Sequence, residues 1–314
     1  MRTYIASAVI GACCLLMANS DLANAQAMRT WVSGVGDDVN PCTRVSPCKT
    51  FAGAISKMAA FGEINCTDPG GFGAVTITKS ITIDCDATLG SILAAGTNGI
   101  NINGANVIVT LRNLSINGVL TGLAGINFTN GLALRVENVH ILGFTTGAAT
   151  GIRFAPSTAN ALLHVVNSTI TTNGIAPSTG GGIVVQPAGG SAQVVISGSK
   201  IENCAVGVSA VSTTGAITMT VNDTVIASNR SHGVSATSGS PIRLMLDRAN
   251  ISNNVSTGVL ASGAGTTIRI YSSTIAGNAT GVSAVGGGVL RSYKNNAING
   301  NTSDGTPIPQ ETLN

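Results

Sequence analysis

An isoleucine that follows a pair of small polar residues recurs along most of this chain. Successive copies lie 25, 29, 31, 25, 25, 24 and 23 residues apart. A period of this length is typical of a solenoid, in which each repeat is one structural unit stacked on the next. We call these residues the anchors: Ile116, Ile141, Ile170, Ile201, Ile226, Ile251, Ile275 and Ile298.

Each unit predicts three short strands. The first ends five residues before the anchor, as in "LRV" (134–136) and "IRI" (268–270), and its outer two residues are apolar. The anchor forms the second strand. The third begins with Gly, as in "GINF" (125–128) and "GVSA" (281–284), and should turn its first and third apolar residues inward. The sequence therefore predicts an all-β, single-stranded solenoid whose stacked coils form three parallel sheets.

Two other folds explain the repeat less well. Helical packing would need an apolar stripe at 3.6-residue spacing, whereas the chain has 40 Gly and many β-branched residues. A β-sandwich also uses short strands and turns, but its strands do not align in sequence every 25 residues.

The low content of charged residues argues against a nucleic-acid partner. Only 9% of the residues are charged, the net charge is +3, and the basic residues form no run. The chain therefore lacks the electrostatic footprint of a nucleic-acid-binding protein, and we expect no nucleic-acid partner.

Asparagine recurs three residues after the anchor. A vertical ladder of amide side chains there would share hydrogen bonds and satisfy backbone groups at the turn. N-glycosylation is the rival interpretation, because "NVS" (254–256) and "NAT" (278–280) match the acceptor pattern. The ladder positions are Asn173, Asn229, Asn254, Asn278 and Asn301.

The N-terminus predicts a secretory signal peptide. Arg2 supplies the positive charge, residues 4–18 are apolar, and "ANA" (23–25) is a small-x-small cleavage site. We assign 1–25 as the signal, with cleavage after residue 27 as an alternative; "IGAC" (10–13) only faintly resembles a lipoprotein box. We expect a secreted or periplasmic protein with no transmembrane segment in the mature chain.

The mature cysteines predict two disulfides. Cys42 and Cys48 bracket a short loop, while Cys66 and Cys85 each end a strand-like run. Neighbouring strands lie about 4.8 Å apart, which suits a disulfide, and export permits one. Cys204 is left over as a small core residue, and no cysteine spacing suits a metal site.

We expect one domain over 26–314 with caps at both ends. "TFAGAISKMAA" (50–60) predicts an amphipathic helix over the apolar end of the solenoid, with Thr50 as N-cap and Phe51, Ile55 and Met58 on one face. Two prolines in the last residues should end strand pairing. The predicted divisions are an N-terminal cap (28–62), coils (63–300) and a C-terminal tail (301–314).

The run "WVSGVGDDVNPC…SPCKTFAGAI…GEINC…GFGAVTITKSITIDC" resembles the N-terminal part of secreted, pectate-lyase-like right-handed parallel β-helix proteins. The repeat carries the resemblance through nearly the whole mature chain. The resemblance implies a right-handed solenoid with an N-terminal capping helix, similar to bacterial members without an assigned activity. It implies little about chemistry, because the superfamily includes lyases, hydrolases, esterases and phage tailspikes.

One charged cluster follows from the repeat. Arg112 and Glu137 lie four residues before their anchors and face outward on adjacent coils, while Arg135 and His164 lie six before theirs on the same face. These four residues, the Glu137 patch, should share one surface. Glu137 offers a base or ligand, His164 an acid or base, and the arginines anion clamps. The simpler interpretation is a solvated ion pair worth about 0–1 kcal/mol.

The longest coils surround this patch in sequence, so we expect the loops 142–151 and 171–182 to wall a groove beside it. Sugar-binding sites usually contain exposed aromatic rings. Beyond the cap, Phe128 and Phe154 should face the core, which leaves Tyr271 and Phe144 as the outward rings.

The sequence matches the catalytic motifs of carbohydrate-active enzymes only weakly. The nearest match to Gly-His-Gly is "SHGVSA" (231–236), in which His232 begins an ordinary repeat strand without paired carboxylates nearby in sequence. Asp37 and Asp38 fit a turn better than a cation site. The remaining acidic residues are scattered over different coils, so we expect no cofactor, with Ca²⁺ relevant only to a lyase.

Two functions remain open. The first is a structural, binding or adhesive module for polysaccharide or cell-envelope partners. The alternative is a carbohydrate-active enzyme, a polysaccharide lyase or glycoside hydrolase, with its site near Glu137.

Overall fold

In the computed structural model, residues 26–312 are described, except 87, 176–179 and 307. The predicted signal peptide lies outside this range. The described residues form 31 strands and one helix, α1 (Phe51–Lys57). Among them no helix has the length and hydropathy needed to cross a membrane.

The strands are short and follow one another throughout the described residues. The first sixteen are β1 (Ala27–Val32), β2 (Met58–Cys66), β3 (Gly70–Gly71), β4 (Val75–Ile77), β5 (Ile81–Asp84), β6 (Gly90–Leu93), β7 (Asn98–Asn103), β8 (Ile108–Arg112), β9 (Leu114–Asn117), β10 (Ala124–Asn130), β11 (Ala133–Glu137), β12 (His140–Leu142), β13 (Thr150–Phe154), β14 (Ala161–Val166), β15 (Thr169–Thr171) and β16 (Gly181–Val185). The others are β17 (Ala192–Ser197), β18 (Lys200–Glu202), β19 (Val208–Ser212), β20 (Ile217–Asn222), β21 (Val225–Ala227), β22 (Val234–Ser238), β23 (Ile242–Asp247), β24 (Asn250–Ser252), β25 (Thr257–Ser262), β26 (Thr266–Tyr271), β27 (Thr274–Ala276), β28 (Thr280–Val285), β29 (Val289–Ser292), β30 (Ala297–Ile298) and β31 (Ser303–Gly305).

The strands build three parallel sheets, as the repeat predicts. Sheet A has 11 strands in the order β1-β2-β5-β8-β11-β14-β17-β20-β23-β26-β29. Sheet B has 10, β3-β6-β9-β12-β15-β18-β21-β24-β27-β30, and sheet C has 10, β4-β7-β10-β13-β16-β19-β22-β25-β28-β31. From β8 onward each coil contributes one strand to A, then B, then C, so every inter-strand bond within a sheet joins neighbouring coils.

The anchors form a continuous column in the core. Ile226 pairs with Ile251, and Ile251 with Ile275, along sheet B, and all three are fully buried. Burying such a side chain contributes about 1.5–3 kcal/mol. In "GVSA" the structure turns Val208 and Ala210 inward and leaves Ser209 half-exposed, which confirms the predicted alternation.

The asparagine ladder is confirmed at the corner between sheets B and C. Asn229 Nδ2 donates to Asn254 Oδ1 at 2.8 Å, and Asn254 Nδ2 donates to Asn278 Oδ1 at 2.9 Å. The same oxygens accept the backbone N–H groups of Asn229 and Asn254. Asn254 and Asn278 are each 1% exposed, so a glycan has no access to either side chain in the fold.

The ladder explains why Gly opens the third strand. A Cβ added to Gly207 would lie 2.4 Å from Ile226 Cγ2 and 2.9 Å from Asn229 Nδ2. Any larger residue would push the next anchor and the next amide out of line. The same pair of contacts, to the next anchor and its ladder amide, recurs at Gly151, Gly233 and Gly258.

Both predicted disulfides form. Cys42–Cys48 closes the short loop of the cap, and Cys66–Cys85 joins the ends of β2 and β5. Cys204 is free and buried, as expected, but its position is more specific than the core in general. It occupies a ladder position, and its backbone N–H donates to Asn229 Oδ1 at 3.0 Å.

The capping helix is shorter than the predicted range 50–60. Thr50 is the N-cap and its Oγ1 accepts from Gly53 N, while Phe51 and Ala54 are buried. The helix ends at Lys57 because Met58 pairs with Ala27 as the first rung of β2. Strand pairing with the chain's first strand thus overrides local helix propensity.

The prediction that the tail ends strand pairing is wrong in part. Its first residues form β31, which adds a further rung to sheet C. Further along the tail, Gln310 bridges Ser292 of β29, and Ile308 is buried. The tail therefore covers the last coil as well as limiting it.

Removing one ladder amide should lower the stability of the stack. In Asn254→Ala the N–H groups of Asn229 lose their acceptor and Ile226 O loses a donor. We expect the free energy of unfolding to fall by about 3 kcal/mol, because each buried polar group left unpaired costs about 1–3 kcal/mol. Urea denaturation measures this, with the exposed Asn250→Ala as control. Equal effects of the two substitutions would contradict the ladder's role.

Completing the ladder should have the opposite effect. In Cys204→Asn the new Nδ2 can donate to Asn229 Oδ1, and the new Oδ1 can accept from Asn173 Nδ2, which now points at the sulfur 4.0 Å away. We expect a gain of about 1 kcal/mol, the usual net value of a hydrogen bond. Cys204→Ala is the control, and a variant less stable than that control would show that the corner lacks room for the amide.

Candidate functional site

The Glu137 patch lies on the outer face of sheet A. Arg112 and Glu137 face each other across β8 and β11, and Arg135 and His164 across β11 and β14. All four side chains are half-exposed on one face. The structure thus brings together the four residues that the repeat placed on one surface; their functional role remains a prediction.

Two arginines hold one carboxylate oxygen. Glu137 Oε2 lies 3.2 Å from Arg112 Nε and 3.0 Å from Arg135 Nε. Arg112 also reaches Asp84 on β5, with NH1 3.9 Å from Oδ2. Within the part of the chain that is described, the imidazole of His164 joins no hydrogen bond or ion pair, so it lies beside this network rather than in it.

The electrostatics keep Glu137 ionised. The hydrogen bond from Arg135 holds the pKa of its carboxyl below the ordinary value of 4.5, against a smaller opposing effect of burial. The charges of Arg135 and Arg112 lower the pKa further. A general acid needs the opposite shift, towards neutral pH.

The loop 142–151 does not flank the patch, which corrects the expectation. Residues 143–149 join sheet B to sheet C, whereas the patch lies on sheet A. The loop instead walls a cavity of about 330 Å³ over sheet C, beside Arg153, whose NH1 donates to Asn127 Oδ1 at 3.1 Å. The loop 171–182 also leads from sheet B to sheet C, and its residues 176–179 lie outside the described range.

Two other side chains that could take part in catalysis, Cys204 and His232, have structural roles instead. Burial raises the pKa of the Cys204 thiol to about 11, so at neutral pH it is not a nucleophile. The Nδ1 atom of His232 accepts from Thr257 N at 3.3 Å, and burial lowers the pKa of the imidazole. Neither lies on the outer face of sheet A.

The acidic residues also serve the fold. Asp38 accepts from Lys49 N, Thr50 N and Thr50 Oγ1, which ties the disulfide loop to the start of α1. Arg248 binds Asp223 through two hydrogen bonds of 2.7 and 2.9 Å, which lower the pKa of Asp223 to about 2. Among the described residues, no group of three or more His, Cys, Asp or Glu is arranged to hold a metal ion.

The aromatic prediction needs one correction and one addition. Phe144 is fully buried rather than outward, because it sits at the ladder position of its coil and packs on Gly118 and Gly122 of the preceding coil. Trp31, the only tryptophan in the sequence, precedes the repeats, so the repeat pattern does not place it; the structure leaves it half-exposed on the outer face of sheet A. Its place in the strand-like run "TWV" was the available signal. Tyr271 is half-exposed, as expected.

The family model described as the right-handed beta helix region matches residues 64–275. This chain belongs to the right-handed β-helix family. The match begins in β2, ends in β27 and includes the Glu137 patch. No curated protein matches the chain.

Solved structures agree on the fold. Pectate lyase Pel9A superposes with a TM-score of 0.55 at 14% identity, over 84% of this chain and 74% of that one. A rhamnogalacturonan lyase gives 0.47 at 12% identity over 84% and 75%, and a GH136 lacto-N-biosidase from Eubacterium ramulus gives 0.36 at 10% over 90% and 67%. At 14% identity the likeness to pectate lyase Pel9A shows the shared β-helix fold alone.

The ion pairs of Glu137 predict a pH-dependent contribution to stability. Because its pKa is lowered in the folded state, this contribution is present above about pH 4.5 and is lost as the pH falls through the folded pKa. Its side chain is 32% exposed, so we expect at most about 1 kcal/mol. Glu137→Gln should therefore be less stable than wild type at pH 7 and converge with it in acid.

The measurement is the urea midpoint of both proteins between pH 3 and pH 7. Glu202→Gln on sheet B is the matched control, since the Glu202 side chain makes no ion pair within the described residues. A pH-independent difference between Glu137→Gln and wild type would show that the ion pairs do not act in this way.

Proposed function

We propose that this chain is a secreted binding module that uses the outer face of sheet A to hold a polysaccharide or cell-envelope surface. The observation that carries the proposal is the double arginine clamp on Glu137 Oε2. In this clamp the Glu137 carboxylate orients the side chains of Arg112 and Arg135. Both arginine side chains remain about 40% exposed, so further N–H groups of Arg135 are accessible to a ligand.

The clamp supports recognition better than catalysis. A carboxylate whose pKa is lowered by two guanidinium groups is a weak base and carries no proton to donate. Glycoside hydrolysis usually uses two carboxyl groups that flank the scissile bond. Here Asp84 and Glu137 lie on opposite sides of Arg112, so the arginine occupies the space between them.

The sheet itself supports binding to an extended polymer. Successive strands present side chains at about 4.8 Å intervals, which is comparable to one sugar ring. Arginine N–H groups bind carboxylate, phosphate and hydroxyl oxygens in fixed directions. A rigid parallel sheet loses little conformational entropy when it binds.

The alternative is a polysaccharide lyase or glycoside hydrolase with its site near Glu137. Its support is the fold shared with pectate lyase Pel9A. A lyase that used Ca²⁺ would need several oxygen ligands converging on one point. The carboxylates of this row are instead separated by arginine, so these residues do not fit a Ca²⁺ site.

Both functions are tested on one panel of acidic and neutral polysaccharides, with and without Ca²⁺. We expect retention on at least one insoluble polysaccharide, without new reducing ends or unsaturated products. Arg135→Ala should weaken retention about tenfold, because a charge-assisted contact is lost. Arg243→Ala, an exposed arginine of sheet A outside the patch, is the matched control and should bind normally.

Turnover that disappears in Glu137→Gln and persists in Glu202→Gln would replace the binding module by the enzyme. Turnover unchanged in both variants would place a catalytic site elsewhere in the chain. Retention that is equally weak in Arg135→Ala and Arg243→Ala would mean that charge in general, not the patch, holds the polysaccharide.

A further inference from the structure

A second recessed surface lies at the N-terminal end of sheet A. It has a volume of about 460 Å³, within the range of small-molecule sites, and its walls include Trp31, Arg44, Asn65, Asp84 and Asp86. We call it the Trp31 groove. None of the residues singled out from the repeat lies in it.

The Trp31 groove belongs to the same row of side chains as the Glu137 patch. Trp31 pairs with Asn65, Asn65 with Asp84, Asp84 with Arg112, and Arg112 with Glu137. Four strand intervals of about 4.8 Å separate the two ends, or about 19 Å. One ligand of a few sugar units can therefore span both.

We propose that the Trp31 groove binds a neutral pyranose ring of a glycan, with the ring stacked on the indole. This inference rests on the proposed function and names the unit that the surface recognises. A tryptophan face offers a large apolar area at low entropic cost, and its N–H adds a directed donor.

The backbone that carries Trp31 is held by hydrogen bonds to both ends of the disulfide loop. Trp31 N donates to Cys42 O at 2.9 Å, and Cys48 N donates to Trp31 O at 2.9 Å. The Cys42–Cys48 disulfide closes the loop between these contacts, and this loop carries Arg44. The groove is thus prearranged before a ligand arrives, which limits the entropic cost of binding.

The polar atoms around the indole suit hydroxyl groups. Within the described residues, the Trp31 Nε1–H and the Arg44 guanidinium have no hydrogen-bond partner and are free to donate. Asn65 directs its Nδ2 to Glu63 Oε1 and Asp84 O, which leaves its Oδ1 as an acceptor. An apolar face ringed by donors and acceptors is the chemistry of a pyranose ring.

The charge of the groove favours a neutral sugar. Arg29 and Arg44 line it together with Asp84 and Asp86, so the formal charges cancel. A highly acidic glycan therefore gains no net electrostatic attraction in the groove to offset the cost of removing water from its charges. A neutral ring gains the stacking contact without this desolvation cost.

The single tryptophan makes the site directly observable. The purified mature chain is titrated with neutral hexasaccharides of glucan, xylan and galactan, and with an oligogalacturonate as the acidic comparison. We expect at least one neutral hexasaccharide to give a saturable blue shift of the tryptophan fluorescence, because the stacked ring excludes water from the indole. Calorimetry of the same mixtures supplies an affinity that does not depend on the fluorophore.

Substitutions of Trp31 distinguish the loss of the stacking contact from a general loss of folding. We expect Trp31→Ala to weaken calorimetric affinity about ten- to a hundredfold, the range for a central aromatic contact. Trp31→Phe should retain part of the affinity, and it guards against a folding defect in the alanine variant. Tyr271→Ala is the matched control, because Tyr271 is a half-exposed ring in the same row at the opposite end of sheet A.

The failures are distinguishable. Calorimetric binding with unchanged fluorescence, and with equal affinity in Trp31→Ala and wild type, overturns the Trp31 groove but leaves the proposed function standing. Binding of the oligogalacturonate alone overturns the neutral-sugar assignment. If no polysaccharide or hexasaccharide binds the wild type at all, the proposed function fails and this inference fails with it.

Discussion

The stacking of one side-chain amide on the next is the constraint on which the rest of this structure depends. Asn254 can accept the hydrogen bonds of Asn229 only if both side chains occupy the same corner position, one coil apart. That requirement forces Gly to open the third strand, because a Cβ at Gly207 would collide with the next amide and the next anchor. Short strands, tight corners and a uniform inner surface follow from this requirement. The outer side chains of successive strands are regularly spaced for the same reason.

Much of the fold and part of the site follow from the sequence for the same reason. In a solenoid the repeat period converts sequence separation into spatial contact, so the pairing of Arg112 with Glu137 was predictable without a structure. The same periodicity also predicts that Phe144 is buried. It lies three residues after Ile141, at the position that faces inward in later coils. Its aromatic type suggested an exposed ring, and its position decided otherwise.

What the sequence could not predict lies where the period does not apply. The end of α1 depends on Met58 pairing with Ala27, a contact between segments that belong to no repeat. The exposure of Trp31 depends on the same first strand. The loop 142–151 does not flank the patch, because sequence proximity to Glu137 does not determine which corner of the coil a loop occupies. The sequence period predicts which strand residues pair between coils. The contacts of the caps and of the corner loops can be read only from the three-dimensional structure.

The residues with chemical function in the proposals lie on the outer face of the coils, not in the inner column. The inner column tolerates only residues that stack, and where Cys204 replaces an amide the result is a thiol whose pKa burial raises, not a reactive one. The outer rows carry no such restriction, so charge and aromatic area accumulate there at no cost to the core. In the proposed function, Trp31 and the clamped Glu137, four strands apart in one outer row, supply the aromatic and the charged contacts. Because both are fixed by strands rather than by mobile loops, recognition would be governed by the spacing of the coils, and a glycan whose repeat departs from that spacing would engage one end of the row but not both.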